Sequence, residues 1–150
     1  MKQENYNAAS AYRYYIRKDN ESYTDAMNRG NYGAAMVAAQ QSAEKSLKGV
    51  LQAVGDLQKK PRISHDLWKL YRRCCFCGYI AKDIRKADLQ FISDAYFAAR
   101  YPRKSQEAPT SYYYDDADMA GAIADDFHEL YLTALGDARA RESGNYDPKD

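Results

Sequence analysis

Long apolar stretches and paired cysteines are missing from this sequence. No apolar run reaches the ~18 residues that a membrane-spanning helix needs, and the N-terminus MKQENYNAAS is too polar for a secretory signal. Three cysteines, an odd number, argue against a disulfide framework. We therefore expect no membrane contact and a location in the cytoplasm.

Turn residues are also scarce, with four prolines and eight glycines in 150 residues. Runs of β-branched residues, which favour strands, are absent, and alanine is frequent. This composition predicts an all-α protein. The fifteen tyrosines are unusual; because a tyrosine hydroxyl needs a partner when the ring is buried, they favour boundaries, clefts and interfaces.

The motifs of common enzyme classes are absent too. There is no P-loop, no G-x-G-x-x-G, no G-x-S-x-G and no H-E-x-x-H. The cysteines at 74, 75 and 77 have no second ligand pair at zinc spacing. With 22 basic and 21 acidic residues there is no overall field to recruit nucleic acid. We predict neither a metal nor a cofactor, and any binding site must be local.

Hydrophobic periodicity predicts five helices, over residues 6–29, 31–55, 64–78, 81–100 and 115–139. Ser64 is the expected N-cap of the third helix. Short connections predict a five-helix up-and-down antiparallel bundle over residues 1–141, followed by a disordered tail, 142–150. In this order one end of the bundle gathers the basic loop and the polar and aromatic residues Lys48, His65, Arg100, Tyr101 and Tyr112–Tyr114.

The second helix carries a row of polar residues beside its buried stripe. Gln40, Glu44 and Lys48 follow one another at spacing four, with Val37 and Leu51 among them. The row is either an exposed i,i+4 pair on the helix surface or a polar seam at a groove or subunit contact. The Val37–Leu51 flank is a candidate dimer face.

Three other polar residues have structural and functional interpretations. Asp19, on the inner face of the first helix, is interpreted as a hydrogen-bonded structural residue. His65 either orients the start of its helix or serves a ligand or proton transfer. His128 is interpreted as a packed or surface residue.

Several segments together resemble HEPN domains (higher eukaryotes and prokaryotes nucleotide-binding). Residues 39–48, AQQSAEKSLK, resemble that family's AQQAAEKALK helix. Residues 64–67, SHDL, resemble its THDL start of the third helix, and residues 99–102 match its ARYP signature. Asp19, eleven residues before Gly30, fits its first-helix aspartate. The resemblance spans about 8–135, in the family's order and spacing.

The resemblance implies a five-helix bundle, often a homodimer, commonly encoded beside a small nucleotidyltransferase and sometimes part of a toxin–antitoxin pair. Some members are metal-independent RNases with an Arg, four to six residues, then a His. Here positions 105–107 after Arg100 are Ser, Gln and Glu, and neither histidine has an Arg at that spacing. Because a general acid/base candidate is missing, we expect no RNA cleavage.

Positions matched to the family give the candidate ligand-binding residues Gln41, Glu44, Lys45, Lys48, His65, Asp66, Arg100 and Tyr101. Lys48 and Arg100 would hold phosphate, and Tyr101 or the Tyr112–Tyr114 run would stack a base. Equally, these residues would form a buried polar network that fixes helix ends or the dimer. We therefore expect a non-enzymatic domain that binds a nucleotide, RNA or a nucleotidyltransferase. The alternatives are an RNase with a degenerate site built on Arg100 and His65, or a structural dimerisation module.

Overall fold

The computed structural model describes residues 2–59, 64–100 and 111–144, with side chains at 5–57, 64–98 and 111–144. Over this part the chain is an all-α bundle without a strand, as predicted. Its helices are α1 (Lys2–Ser10), α2 (Tyr12–Asn28), α3 (Tyr32–Ala53), α4 (Asp56–Lys59), α5 (Leu67–Phe76), α6 (Lys86–Arg100) and α7 (Tyr114–Glu142). Since α1 and α2 together form one rod and α4 is only a single turn, the remaining elements correspond to the five predicted helices. Residues 60–62 of the basic loop and the tail from 145 lie outside the described residues.

The rod formed by α1 and α2 is interrupted only at Ala11. This residue keeps a helical backbone (φ −62°, ψ −27°), and its N–H donates to the Asn7 carbonyl at 3.3 Å. The polar stretch 19–22 does not break α2. The carboxylate of Asp19 accepts from Lys45 Nζ at 2.5 Å, so Asp19 is hydrogen-bonded, as predicted.

The central helix is α3, and its buried stripe is the predicted one. Asn31 caps the helix by accepting the Ala34 N–H at 3.1 Å, and Gly55 follows its end with φ +80°. The predicted core positions that are fully buried are Met36, Ala39, Ala43, Leu47 and Val50. Leu51 is also fully buried. The Val37–Leu51 flank as a dimer face was therefore wrong, because its second residue belongs to the core.

Two helix starts differ from the prediction. The N-cap of α5 is Asp66, not Ser64, whose hydroxyl instead accepts the Asp66 N–H at 2.9 Å. Helix α6 begins at Lys86 rather than at Ala81. The reason is tertiary: the Tyr71 hydroxyl accepts the Ala81 N–H and donates to its carbonyl, both at 3.0 Å, which holds this segment outside the helix.

The last helix, α7, runs in the same direction as α3. Near their starts the rings of Tyr32 and Tyr114 are 5.8 Å apart, and farther along both helices Gly49 lies against the Tyr131 ring. The expectation that α7 starts near the end of α3 was therefore wrong. Thirteen residues separate the two last helices and can span about 40 Å. This reach exceeds the ~33 Å length of α3, so the connection does not fix the direction of α7.

The core lies between α3, α5, α6, α7 and the α1–α2 rod. The buried Tyr131 hydroxyl donates to the Ala9 carbonyl at 2.6 Å, which ties α7 to α1. The Tyr71 and Phe127 rings stack with centroids 5.1 Å apart and tie α5 to α7. Within the described ranges, no helix is long and apolar enough to cross a membrane.

Candidate functional site

A polar cluster on α3 faces the start of α5, and Glu44 is at its centre. Glu44 Oε1 accepts from Gln40 Nε2 at 3.1 Å and lies 3.0 Å from His65 Nδ1. Its Oε2 accepts from Lys48 Nζ at 2.8 Å. We call these four residues the Glu44 cluster. The spacing of four along α3 brings three of them together, and the segment just before α5 supplies the fourth, His65.

The ion pair at the centre of the cluster is sheltered. The side chains of Glu44 and Lys48 are 12% and 14% exposed, and Gln40 is fully buried. An exposed i,i+4 pair would contribute only a few tenths of a kcal/mol to stability. For charges that are mostly buried, the loss of one partner is much more destabilising, because the other charge is left unpaired. The interpretation of the row as an exposed pair on the helix surface was therefore wrong, and the polar seam at a groove or subunit contact stays a prediction.

His65 is the exposed edge of the cluster, with 54% of its side chain open to solvent. A carboxylate only accepts hydrogen bonds, so the Nδ1 atom facing Glu44 carries a proton. The imidazole also stacks on Tyr96 of α6, with centroids 5.9 Å apart and planes 20° apart. The ring is therefore oriented from two sides while one part of it faces solvent.

The start of α5 is held by hydrogen bonds that fix the position of His65. The Asp66 carboxylate accepts from the N–H groups of Trp68 and Lys69, at 2.9 and 3.2 Å. The next residue, Leu67, donates its N–H to the buried Ser93 hydroxyl of α6 at 3.1 Å. Asp66 thus acts as a helix cap, and its carboxylate is occupied by the backbone of α5.

The charge of Glu44 acts on the neighbouring helix. The pKa of Tyr12 in α2 is raised above its usual value, first by burial and then by the negative charge of Glu44. Both causes favour the protonated phenol. Tyr12 therefore lies close enough to the cluster to respond to a change of charge at Glu44.

Two further candidate residues on α3 lie outside the cluster. Lys45 turns to α2, where it pairs with Asp19 and lies over the Tyr15 ring, 5.7 Å from its centroid. Its ammonium joins two helices. Gln41 is half-buried on α3 and is not part of the hydrogen bonds around Glu44.

The ARYP signature falls at the border of the described residues. Arg100 is the last residue of α6, one turn beyond Tyr96, and its side chain lies outside the described part. Tyr101 lies outside the described residues altogether. The backbone of α6 therefore leads from the His65 ring towards Arg100.

The tyrosines at 112–114 are not at the Glu44 cluster, which corrects the expected gathering. Tyr112 packs edge-on against Phe91, with centroids 5.8 Å apart, and lies beside Gly33. Tyr114 packs against Tyr32. Because α7 is parallel to α3, these rings lie near the start of α3, whereas Lys48 is near its end.

Sequence reasoning missed Tyr96 and Ser93 as site residues. Both lie on α6 and contact the start of α5. Tyr96 had a signal: it is four residues before Arg100, and residues at this spacing share a helix face. Ser93 had none, because its role depends on the distance between two helices.

Two cavities of the described part lie away from the Glu44 cluster. One of about 680 Å³ lies between α2 and α7, and one of about 720 Å³ lies near Cys77 and Asp137. No member of the cluster lines either. No group of side chains in the described ranges could hold a metal ion. A ligand of the cluster would bind at its open edge, at His65.

Comparison with known proteins gives one result. Neither the curated proteins nor the solved structures yield a match. The family model for the HEPN domain matches residues 14–134, which is most of the chain and includes every member of the Glu44 cluster. The chain therefore belongs to the HEPN domain family.

Proposed function

We propose that this chain is a non-enzymatic HEPN domain that binds a nucleotide at the edge of the Glu44 cluster, as the partner of a small nucleotidyltransferase. The observation that carries the nucleotide half is the His65 ring. It is stacked on Tyr96, held by Glu44 and half open to solvent. A preoriented aromatic surface of this kind suits a nucleobase, because stacking tolerates every base.

The neighbouring charges suit the phosphates of the same ligand. Lys48 Nζ donates one hydrogen bond to the Glu44 carboxylate. An ammonium has three N–H donors, so the same group can also donate to a phosphate. The family resemblance assigns a second phosphate contact to Arg100, four residues after Tyr96 in the sequence, because a guanidinium can bind phosphate through two hydrogen bonds. The partner half, in a toxin–antitoxin-like pair, rests on the family resemblance.

Calorimetric titration tests the binding half. ATP, GTP and a short RNA are titrated into the wild type, His65→Ala, Lys48→Met and the control Lys18→Met, whose side chain is 55% exposed on α2. We expect saturable binding by the wild type and the control. At least about tenfold weaker binding, or 1.4 kcal/mol, is expected for the two cluster variants. No saturable binding of any nucleotide, with lowered melting temperatures in the cluster variants, would leave only a structural network.

Co-purification tests the partner half. The proposal expects a small nucleotidyltransferase gene beside the gene of this chain; the tagged wild type is expressed with the product of that neighbouring gene, and a stable complex is expected. Recovery of the tagged chain alone from this co-expression would contradict the partner half and leave the nucleotide half standing.

A second candidate, a metal-independent RNase with a degenerate site, is favoured by one contact. The 3.0 Å contact of Glu44 Oε1 with His65 Nδ1 orients the imidazole as a carboxylate orients a general base. Incubation with total RNA compares the wild type with His65→Gln and Arg100→Ala. Cleavage by the wild type that both variants lose would favour this candidate, and equal cleavage by all three would exclude it.

A further inference from the structure

The outward face of α2 carries charges in an order that is complementary to itself. Arg13 and Arg17 lie in its first half, and Glu21 and Asp25 follow at the same spacing of four in its second half. All four side chains are exposed, and all line the groove between α2 and α7. Residues four apart share one helix face, so the stripe is basic at one end and acidic at the other.

These four charged side chains form few ion pairs within one chain. In the part with described side chains, Arg13, Arg17 and Asp25 form no ion pair. Glu21 has only a 3.7 Å contact with Lys18, both being more than half exposed. Such a pair contributes close to nothing. The stripe is therefore open to charges from another molecule.

We infer that the α2 face pairs antiparallel with the same face of a second copy, about a two-fold axis between Arg17 and Glu21. A two-fold axis makes an isologous contact, in which each pair of residues occurs twice. Arg13 then faces Asp25 of the other copy, and Arg17 faces Glu21. Each outer pair lies six residues from the axis, about 9 Å along the helix, within reach of an arginine side chain.

The other outward positions accept this register. The same symmetry sets Tyr14 opposite Thr24, Ser10 opposite Asn28 and Lys18 opposite Asn20, so no like charges meet. A slip by one helical turn places Arg17 opposite Arg17 of the second copy in one direction, and Glu21 opposite Glu21 of the second copy in the other. Like charges at an interface are unfavourable, so the charges select one register.

The α2–α7 groove gives the second helix a place to pack. Its cavity of about 680 Å³ is also lined by Leu132 and His128 of α7, and Leu132 is an exposed leucine. Packing of α2 from each copy beside α7 of the other adds apolar contact to the ion pairs, which an interface of stable size requires. This face lies across α2 from the Asp19–Lys45 pair, so the inference is independent of nucleotide binding.

A charge swap tests the pairing. Sedimentation equilibrium compares the wild type, Arg17→Glu, Glu21→Arg and the double variant Arg17→Glu/Glu21→Arg, with Arg72→Glu as a control on the exposed side of α5. We expect a wild-type dimer and a Kd at least about tenfold higher in each single variant, because like charges then meet twice. The double variant should return to within about threefold of the wild type, and the control should not change.

Three results would overturn the inference. They are a wild type that stays monomeric at about 100 µM, single variants that dimerise like the wild type, and a double variant as weak as the single ones. Salt gives a second readout that does not depend on the folding of a variant. Raising the ionic strength to about 1 M shortens the screening length to ~3 Å and should weaken the wild-type dimer. A dimer that salt leaves unchanged or strengthens contradicts pairing through these charges.

Discussion

Replacing Glu44 by glutamine removes the charge at the centre of the cluster while keeping the size of the side chain. The Lys48 ammonium, 14% exposed, then loses its carboxylate partner. The new amide offers one acceptor oxygen where three donors converge. We therefore expect Glu44→Gln to lower the free energy of unfolding.

The size of this loss follows from the burial of the pair. Breaking a fully buried ion pair costs about 3–5 kcal/mol, whereas an exposed pair contributes about 0.2–1 kcal/mol. With its two members 12% and 14% exposed, the Glu44–Lys48 pair lies between these limits, at about 2 kcal/mol. For a chain of this length the loss corresponds to a melting temperature lower by about 4–8 °C.

Urea and thermal unfolding, followed by circular dichroism, measure this loss. The matched control is Glu129→Gln, an exposed position on α7, for which a change within about 0.5 kcal/mol is expected. A double-mutant cycle with Lys48→Met isolates the pair. The double variant should lose less than the sum of the single losses, because neither charge is then buried alone. Equal losses in Glu44→Gln and Glu129→Gln, with additive behaviour in the cycle, would refute a sheltered pair.

Three other predictions concern the helices around the site. A Cβ on Gly49 would lie 2.4 Å from the buried Tyr131 ring, so Gly49→Ala should lower the free energy of unfolding by about 1–3 kcal/mol. A Cβ on Gly136 meets no atom within 4 Å, so the control Gly136→Ala should raise the free energy of unfolding by up to about 1 kcal/mol. Urea unfolding compares the two variants, and equal effects would contradict close packing of Gly49 against Tyr131. Asp66→Ala removes the α5 cap and should cost about 1 kcal/mol in the same assay, whereas no loss contradicts the capping role. Burial raises the pKa of the Cys74 thiol, so iodoacetamide at about pH 8 should spare it in the folded protein and modify it after denaturation, with mass spectrometry as the readout.

The parts of the fold that the sequence predicts well are those that depend on local pattern. The buried stripe of α3 follows from its periodicity, and the Asn31 cap follows from a side chain that bonds three residues ahead. The acidic first turn of α7 also forms as predicted, with the Asp116 carboxylate accepting the Tyr113 N–H at 2.8 Å. Each of these features needs only contacts within one helix.

The parts that were wrong depend on contacts between helices. Ser64 and Asp66 are both good caps, and the choice between them is tied to the Ser93 hydroxyl, which accepts the N–H of Leu67 from 26 residues along the chain. The start of α6 is delayed by the Tyr71 hydroxyl, which the periodicity of residues 81–85 cannot show. A thirteen-residue connection leaves both directions open to α7.

The candidate site was predicted in part. The matched family positions include Glu44, Lys48 and His65, which the structure brings into one hydrogen-bonded cluster. Tyr96 shares a helix face with Arg100, but its stacking on His65 was missed because it depends on the distance between α6 and the segment before α5. The predicted use of these residues for a ligand stays a prediction.

Nucleotide binding at the open edge of the Glu44 cluster is tested most directly by an NMR titration of ATP into the wild type, observing the His65 and Tyr96 ring resonances. These two rings are stacked and lie at the edge of the cluster. The proposal predicts that both rings shift together and saturate with a single Kd, while the His128 ring on α7 does not shift. Rings that do not shift at millimolar ATP, or that shift in proportion to ATP without saturation, would contradict it.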